Sequence, residues 1–532
     1  MNQSDSLKKL IYKDCQKAMR PALLLHMIDN LLSGVISIYF AGVLGDFAYA
    51  VFRLDFSYGI SNLCKFIFCL GFSVLIIPFI NTCGEVVMFR NCLQHDRLIY
   101  SRFWDKKYEE AIKIEEGEAE YRLEMDPIDL RIYWIQIGEK ILTLPVMLCY
   151  VLYKSLPVSP LLTAIVFLLA LLKLLVPMAV KKVQAKYDLE KRDYDTAVRN
   201  METDITGSPY QVKLLGLSEP YLNRLDNMFR VYYKKVLTKS LFCTVLSDKV
   251  LNLLDTFCTL AILFTGAVMV SNGSVTAGAI AAMMGYFSVF NDLIGKFDFI
   301  IRSLPLIDNV AERIKVLYDG AEEKSDNELD TVHSITAQNL SFSFAGKKIF
   351  ENKNFIIYAG EKVVLCGENG SGKSTFLKVF SGLFQKYQGK LLLDDKELRA
   401  VNINSWRKLF AYVEQTPYLF SGTVRENIHL GDLQASDEQV TTVMENVGIS
   451  HLSDRKVSNT QNDLSGGEKQ KISIARALLK DTSLLVMDEP DNHLDQATLE
   501  WLKNFIKQSD KTILYISHDE ELVKLADIKI SF

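Results

Sequence analysis

Along the first 320 residues, long apolar runs alternate with short polar turns and with two long charged segments. Six stretches reach the roughly 20 mostly apolar residues that span a bilayer as a helix. They are Pro21 to Leu44, Ser61 to Val87, Ile135 to Tyr153, Val158 to Val180, Val250 to Val270 and Ala277 to Ile301. His26, Asp29 and Asn30 interrupt the first, and the single charge of "PLLTAIVFLLALLKLLVPMAV", Lys173, is expected to snorkel toward a headgroup. The opening 20 residues are polar and carry Lys8, Lys9, Lys13, Lys17 and Arg20, unlike a secretory signal.

Basic residues in the connecting loops set an orientation. Between spans two and three lie Arg90, Arg97, Arg102, Lys106, Lys107, Lys113, Arg122 and Arg131, and between four and five Lys181, Lys182 and ten more before Asp248. The other turns offer only Arg53 and Lys154. Both termini are therefore expected on the cytoplasmic side of a cell membrane, in a multi-pass arrangement. The two charged segments are poor in proline and rich in helix formers, so they are expected to extend the spans as cytosolic helices, with Gly117, Gly207 and Pro209 marking turns where a soluble domain docks.

Composition adds boundaries. A formal charge of −4 over 532 residues implies no nucleic-acid partner. The nine cysteines are scattered without a CxxC pair or clustered histidines, which reads as small buried side chains rather than ligands or disulfides. Around "LYDGAEEKSDNELD" the apolar periodicity stops, marking a linker over 321–332. Beyond it, "KVVLCG", "KLLLDD", "FAYVEQ", "SLLVMDE" and "TILYISHD" alternate with helical patterns, the signature of an α/β domain with a largely parallel sheet over 333–532.

Inside that domain, "VVLCGENGSGKSTFLKVF" places GxxxxGK[ST] between an apolar strand and a helix. Gly367, Glu368, Asn369, Gly370, Ser371 and Gly372 are expected to wrap backbone N–H groups around a phosphate, at the positive end of the helix that follows. Lys373 would neutralise β- and γ-phosphate charge, Ser374 would hold Mg²⁺, and Thr375 completes the loop. In "LVMDEPDNHLD", Asp488 ends an apolar strand and is expected near the same Mg²⁺, with Glu489 polarising the attacking water as general base. His518, after the strand in "TILYISHD", stands where it can hydrogen-bond the γ-phosphate and the water.

With these residues in view, "LSGGEKQKISIARAL" resembles the signature motif of ATP-binding cassette (ABC) proteins, lying between the phosphate loop and the carboxylate pair. The resemblance implies ATP as ligand and nucleotide contacts at Ser465, Gly466, Gly467 and Glu468. Gln415, in "AYVEQTPYLFSGTVRENI", resembles the exporter Q-loop that touches Mg²⁺ and water, Phe344 occupies the place of the adenine-stacking aromatic, and Asp495 belongs to the D-loop. The membrane half is similar to the six-helix exporter fold called type IV. "EEGEAEYRLEMDPIDLR" echoes its first cytoplasmic loop, "GSPYQVKLLGLSEPYLNRL" its second with a coupling helix, and "NGSVTAGAIAAMMGY" the turn into its sixth span. The fold expected is multidomain: an all-α six-helix transmembrane domain over 1–320 and a C-terminal α/β phosphate-loop ABC ATPase domain.

Such a half-transporter must pair, because in the family Ser465 and its glycines reach the nucleotide held by the opposite subunit's phosphate loop. A two-fold homodimer is the simplest assembly, a heterodimer the alternative. Three departures from the exporter pattern stand out: "SDRKVSNTQND" before the signature, an end at "LADIKISF", and too few residues before the first span for a cysteine-peptidase domain. The D-loop also departs, with Asn492 and His493 where exporters carry small residues.

The implied function is ATP-driven export by alternating access. Asp29, Asp255, Asn291, Asp292 and Asp298 lie in or near spans, so either a polar cavity for a cationic or peptide cargo or acids on cytosolic extensions accounts for them. A secreted modified peptide is the first choice of cargo, and drugs or lipids the alternative. Readings of another class are an ATP-gated channel or sensor and a membrane-tethered ATPase like the soluble translation-associated ABC proteins. The latter carry two cassettes, whereas this chain has one GxxxxGK[ST].

Overall fold

The computed structural model describes residues 3–532 apart from 115, 208, 323–324, 345 and 459–463. Ser208 in the second-loop motif and residues 459–463 of the unusual pre-signature segment therefore lie outside the described residues. The chain forms two units: Met1–Lys106 with Lys113–Ala321, and Lys107–Ile112 with Glu322–Phe532.

The first unit is helical: α1 (Gln3–Arg53) and α2 (Phe56–Trp104), then, after α3 (Tyr108–Ala111), α4 (Glu116–Ser155), α5 (Pro160–Lys173), α6 (Leu175–Gly207), α7 (Pro209–Leu214), α8 (Ser218–Tyr232), α9 (Thr238–Ser271) and α10 (Ala277–Tyr318). At 1.5 Å per residue α1 is about 75 Å long, more than twice a hydrocarbon core, so its polar start continues past the apolar stretch without a break. Among the described residues, five helices, α1, α2, α4, α9 and α10, are long and apolar enough to cross a membrane. The fourth expected span instead falls on α5, a shorter apolar helix that stops at Leu174 before α6 resumes. Caps explain the outer turns: Asp55 accepts from Tyr58 N, Ser159 from Leu162 N ahead of Pro160, and Thr276 from Ala279 N.

Small residues let α1 and α10 touch. A Cβ on Gly278 would sit 2.5 Å from the Gly45 carbonyl oxygen, so "NGSVTAGAIAAMMGY" is a packing surface. The charged first-loop motif ties the inner helix extensions together. Asp126, fully buried on α4, accepts two bonds of 3.0 Å from Arg313 Nε on α10, and Arg122 Nη1 donates to the Arg313 carbonyl at 3.0 Å. Arg131 pairs with Asp96 on α2. Lys173 corrects an expectation. Rather than snorkelling it is buried, paired with Asp255 on α9 and donating to Asn291 Oδ1 on α10 at 3.0 Å, while Asn291 Nδ2 donates to Asp255 Oδ1 at 3.0 Å. The helix neighbours lie close enough to give the ammonium a carboxylate and an amide oxygen inside the unit.

The second unit contains two larger sheets. Strands β1 (Ser334–Phe344), β2 (Lys347–Tyr358), β4 (Gln388–Leu393) and β5 (Lys396–Glu397) pair antiparallel in the order β2-β1-β4-β5. Strands β3 (Lys362–Cys366), β6 (Phe410–Val413), β9 (Leu484–Asp488), β10 (Thr512–Ile516) and β11 (Ile528–Ser531) form a parallel sheet ordered β11-β3-β10-β9-β6. A small two-stranded antiparallel sheet pairs β7 (Gly422–Thr423) with β8 (Lys456–Val457). The parallel strands read as continuous apolar runs because both faces are covered. On β3, Val363 and Leu365 face one core with Phe376 and Trp406, while Val364 faces the other with Leu502 and Ile506.

A contiguous division of the chain did not anticipate α3, which packs within this second unit. Tyr108 meets Phe384 edge-on at 5.7 Å, and Glu109 Oε1 accepts from the backbone N–H groups of Gln385 at 2.7 Å and Lys386 at 3.1 Å.

Candidate nucleotide site

The site lies at the carboxyl ends of β3 and β9, where a parallel sheet leaves loops free to hold a ligand. Residues 367–372 join β3 to α11 (Lys373–Phe380). Gly367 (φ 148°) and Gly372 (φ 100°) occupy the left-handed region, and Cβ atoms there would lie 2.7 Å from the Phe532 carbonyl oxygen and 2.8 Å from Ile349 Cγ2. Only glycine suits both positions. Gly372 gives the start of α11 no side-chain cap, so its first N–H groups stay open to an anion.

Lys373 is nearly buried, and its Nζ donates to the carbonyls of Gly367 at 2.8 Å and Glu368 at 2.9 Å. Ser371 Oγ is buried without a partner, an orphan that a phosphate oxygen would satisfy. Ser374 Oγ donates to Asp488 Oδ1 at 3.0 Å, joining the loop to the end of β9. A hydroxyl and a carboxylate in that relation are hard oxygen donors suited to Mg²⁺ beside phosphate. Burial raises the Asp488 pKa above its ordinary value; the Ser374 bond opposes this and the Glu489 charge adds to it.

Glu489 follows with φ 49°, an uncommon conformation for a non-glycine residue and a local strain at the site. Its amide is anchored to the Ile516 carbonyl at 3.1 Å. Its Oε2 accepts from Gln415 Nε2 at 2.8 Å and from Asn492 Nδ2 at 2.6 Å, and its Oε1 lies 3.9 Å from His518 Nε2. The arrangement suits a carboxylate held to take a proton from water. Phe344 stands 43 % exposed at the end of β1, its ring 5.8 Å from Phe384, with an open face for a planar ligand. Asn369, Gly370 and Thr375 lie in the same loop and first helical turn.

The signature residues are engaged elsewhere. Ser465 caps the helix Gly466–Leu479, and the Glu468 carboxylate accepts from the Ser465 amide at 2.7 Å and hydroxyl at 2.8 Å. Those bonds, the backbone one foremost, hold Glu468 below its usual pKa. Among the described residues, no hydrogen bond or ion pair joins 465–467 to 367–375. Asp495 caps the helix Gln496–Gln508 and pairs with Lys471 at 2.6 Å, which with the Thr498 amide holds its pKa down to about 2. Glu468 and Asp495 each brace a helix N-terminus of their own fold. His493 (φ 63°) turns the D-loop against the signature: a Cβ on Gly467 would meet its carbonyl oxygen at 2.4 Å.

Sequence reasoning noticed Asn492 as unusual without finding its bond to Glu489. The signal was present, since the two stand three residues apart in one tight turn.

Residues 350–492 match the family model described as ABC transporter, and residues 136–294 the one described as ABC transporter transmembrane region. With both regions in one chain over the fold described above, the chain belongs to the ABC transporters, as a fused half-transporter of the type IV exporter fold. It is 34 % identical over 219 residues to "Iron-sulfur clusters transporter ATM1, mitochondrial" of Candida glabrata, covering 39 % of this chain and 30 % of that protein. It is 30 % identical over 288 residues to "Probable microcin-H47 secretion/processing ATP-binding protein MchF" of Escherichia coli, covering 51 % and 41 %. The chain thus spans less than half the length of these curated relatives. A solved structure, "Structure of a bacterial Atm1-family ABC exporter with ATP bound", shares the fold with a TM-score of 0.82 at 19 % identity, covering 97 % of this chain and 93 % of that one.

Proposed function

We propose that this chain is one half of an ATP-driven exporter in which two copies close around two ATP molecules and open again on hydrolysis. The observation carrying the reading is the Glu489 carboxylate, held by Gln415 and Asn492 beside the Ser374–Asp488 pair. Lys373 and the loop amides bind the β- and γ-phosphates, and Phe344 stacks on the adenine. Ser374, Asp488 and Gln415 would hold Mg²⁺, which supplies neutralisation of phosphate charge. Glu489 accepts a proton from the attacking water as its oxygen reaches the γ-phosphorus and the bond to the β–γ bridging oxygen breaks; His518 orients the water.

The signature at Ser465–Gly467 is unlinked to its own phosphate loop, which supports a site completed by the signature of a second subunit. A homodimer is the assembly proposed. ATP then favours the closed pair because it contacts both subunits, and hydrolysis removes that preference. The basic loops support a cytoplasmic cassette below a multi-pass cell-membrane domain. Similarity to the microcin H47 protein supports a secreted peptide as cargo.

The test is ATP turnover in lipid vesicles by wild type and Glu489→Gln. Loss of the general base should slow hydrolysis by about 10²–10⁴-fold while ATP still binds. Normal hydrolysis by Glu489→Gln would sink the assignment.

A further inference from the structure

The membrane unit encloses a cavity of about 700 Å³ between α1, α2, α4 and α10. Its wall carries four carboxylates, Asp29, Glu85, Glu139 and Asp292, against two ammonium groups, Lys140 and Lys296. Each lysine is already committed. Lys140 Nζ lies 2.8 Å from Glu139, and Lys296 Nζ lies 2.7 Å from Asp292 while donating to Asn30 Oδ1 at 2.8 Å. Among the described residues, Asp29 and Glu85 have no ion-pair partner within 4 Å, so the wall keeps two carboxyl groups without a lysine or arginine on them.

The polar groups there are also unsatisfied. His26 lines the cavity more than nine-tenths buried, and its Nε2 has no hydrogen-bond partner. Asp29 Oδ1, one helical turn on, is buried without a partner as well. Such atoms cost stability unless something fills them, and an intramembrane carboxylate is expensive unless it faces a cavity with a function. The same unit pairs another acid, since Asp255 meets Lys173 and accepts from Asn291 Nδ2 at 3.0 Å.

We infer that this cavity is the cargo-loading site and takes a cation with N–H donors, a protonated amine or guanidinium carried on a basic peptide. Asp29 and Glu85 are its anionic contacts. The inference rests on the exporter reading and deepens it. Asp29 lies in the first half of its span and Glu85, Glu139 and Asp292 near the inner ends of theirs, so the basic-loop orientation opens the acids toward the cytoplasm, where cargo enters.

The experiment uses the full chain in lipid vesicles, with an amidated lysine-rich peptide, the same peptide with every lysine acetylated, and tetraethylammonium as a cation lacking N–H. The lysine-rich peptide should stimulate ATP hydrolysis and enter the vesicles. Its half-saturating concentration should rise about tenfold in Asp29→Asn, the loss of one partly buried charge contact, and about threefold in Glu85→Gln, whose contact is exposed. Neither other probe should compete. The idea is overturned by equal stimulation from both peptides, by none from the lysine-rich one, or by wild-type response in both variants. Tetraethylammonium matching the peptide overturns the N–H donor requirement. Should Asp29→Asn misfold, Glu85→Gln alone decides, because its carboxylate is exposed and makes no bond in the fold. Absence of hydrolysis by the wild type without any peptide fails the exporter reading instead, leaving the two failures distinguishable.

Discussion

Asn492 Nδ2 donates to Glu489 Oε2 at 2.6 Å, on the same oxygen that accepts from Gln415 Nε2 at 2.8 Å. The D-loop thereby holds the base directly. Asn492→Ala leaves Gln415 as the one remaining amide donor on that oxygen. Losing one charge-assisted hydrogen bond, worth about 1.5 kcal/mol, corresponds to a roughly tenfold fall in kcat with KM for ATP unchanged. Steady-state kinetics check this. A matching rise in KM would mean that Asn492 serves nucleotide binding, and Asn492→Asp, which brings a like charge beside Glu489, should be worse than Asn492→Ala.

Glu109 places its carboxylate on the amides of Gln385 and Lys386 within the ATPase unit, although the chain before Lys107 and after Ile112 belongs to the membrane unit. Glu109→Ala removes the acceptor of both amide donors and unseats α3. Hydrolysis should persist within about twofold, since none of the nucleotide residues is touched, while cargo uptake into inverted vesicles falls at least about tenfold. Parallel loss of hydrolysis and uptake would show α3 to be part of the ATPase fold rather than its link.

How much of this was legible depended on distance along the chain. The phosphate loop could be read because its demands are local: Gly367 and Gly372 need a left-handed backbone within one turn, and the strand and helix beside them announce themselves. The apolar spans were equally local, apart from the break at Leu174. Lys173 was misread because its partners, Asp255 and Asn291, lie on other helices, and no periodicity reports which helices meet. Segment 107–112 escaped for a similar reason, since its charge pattern is that of any solvated helix. The Asn492 bond was close in sequence, yet it depends on the Glu489 φ of 49°, which an apolar-then-acidic pattern does not reveal.

Lys173, Asp255 and Asn291 join three helices, and breaking the pair leaves an ammonium buried. Removing one partner of a buried pair costs about 3–5 kcal/mol, reduced here to roughly 2 kcal/mol because Asp255 is 37 % exposed at its side chain. Asp255→Ala should therefore lower the thermal midpoint in lipid nanodiscs. Lys173→Met with Asp255→Leu should recover most of it, because two apolar groups leave no charge stranded. Equal midpoints for wild type and Asp255→Ala would show the pair to be without structural weight.

Asp488 makes opposite demands on stability and on function. Its carboxyl is raised above the ordinary value chiefly by burial, so the folded protein holds a proton at pH values where the unfolded chain has released it. Between the unfolded and the raised folded pKa, stability accordingly falls as pH rises, and above the folded pKa the full cost of the buried charge is present. Activity runs the other way, because a protonated Asp488 is a poor ligand for Mg²⁺. Nucleotide-free wild type should thus gain stability on acidification just above the ordinary carboxylate range, while Mg²⁺-dependent hydrolysis declines over the same window. Asp488→Asn removes the charge, so it should flatten that part of the stability profile, melt above wild type at neutral pH and lose hydrolysis by at least about 10²-fold. Thermal midpoints against pH, measured without nucleotide, check the first half; a wild-type slope retained in Asp488→Asn would assign the dependence to another group.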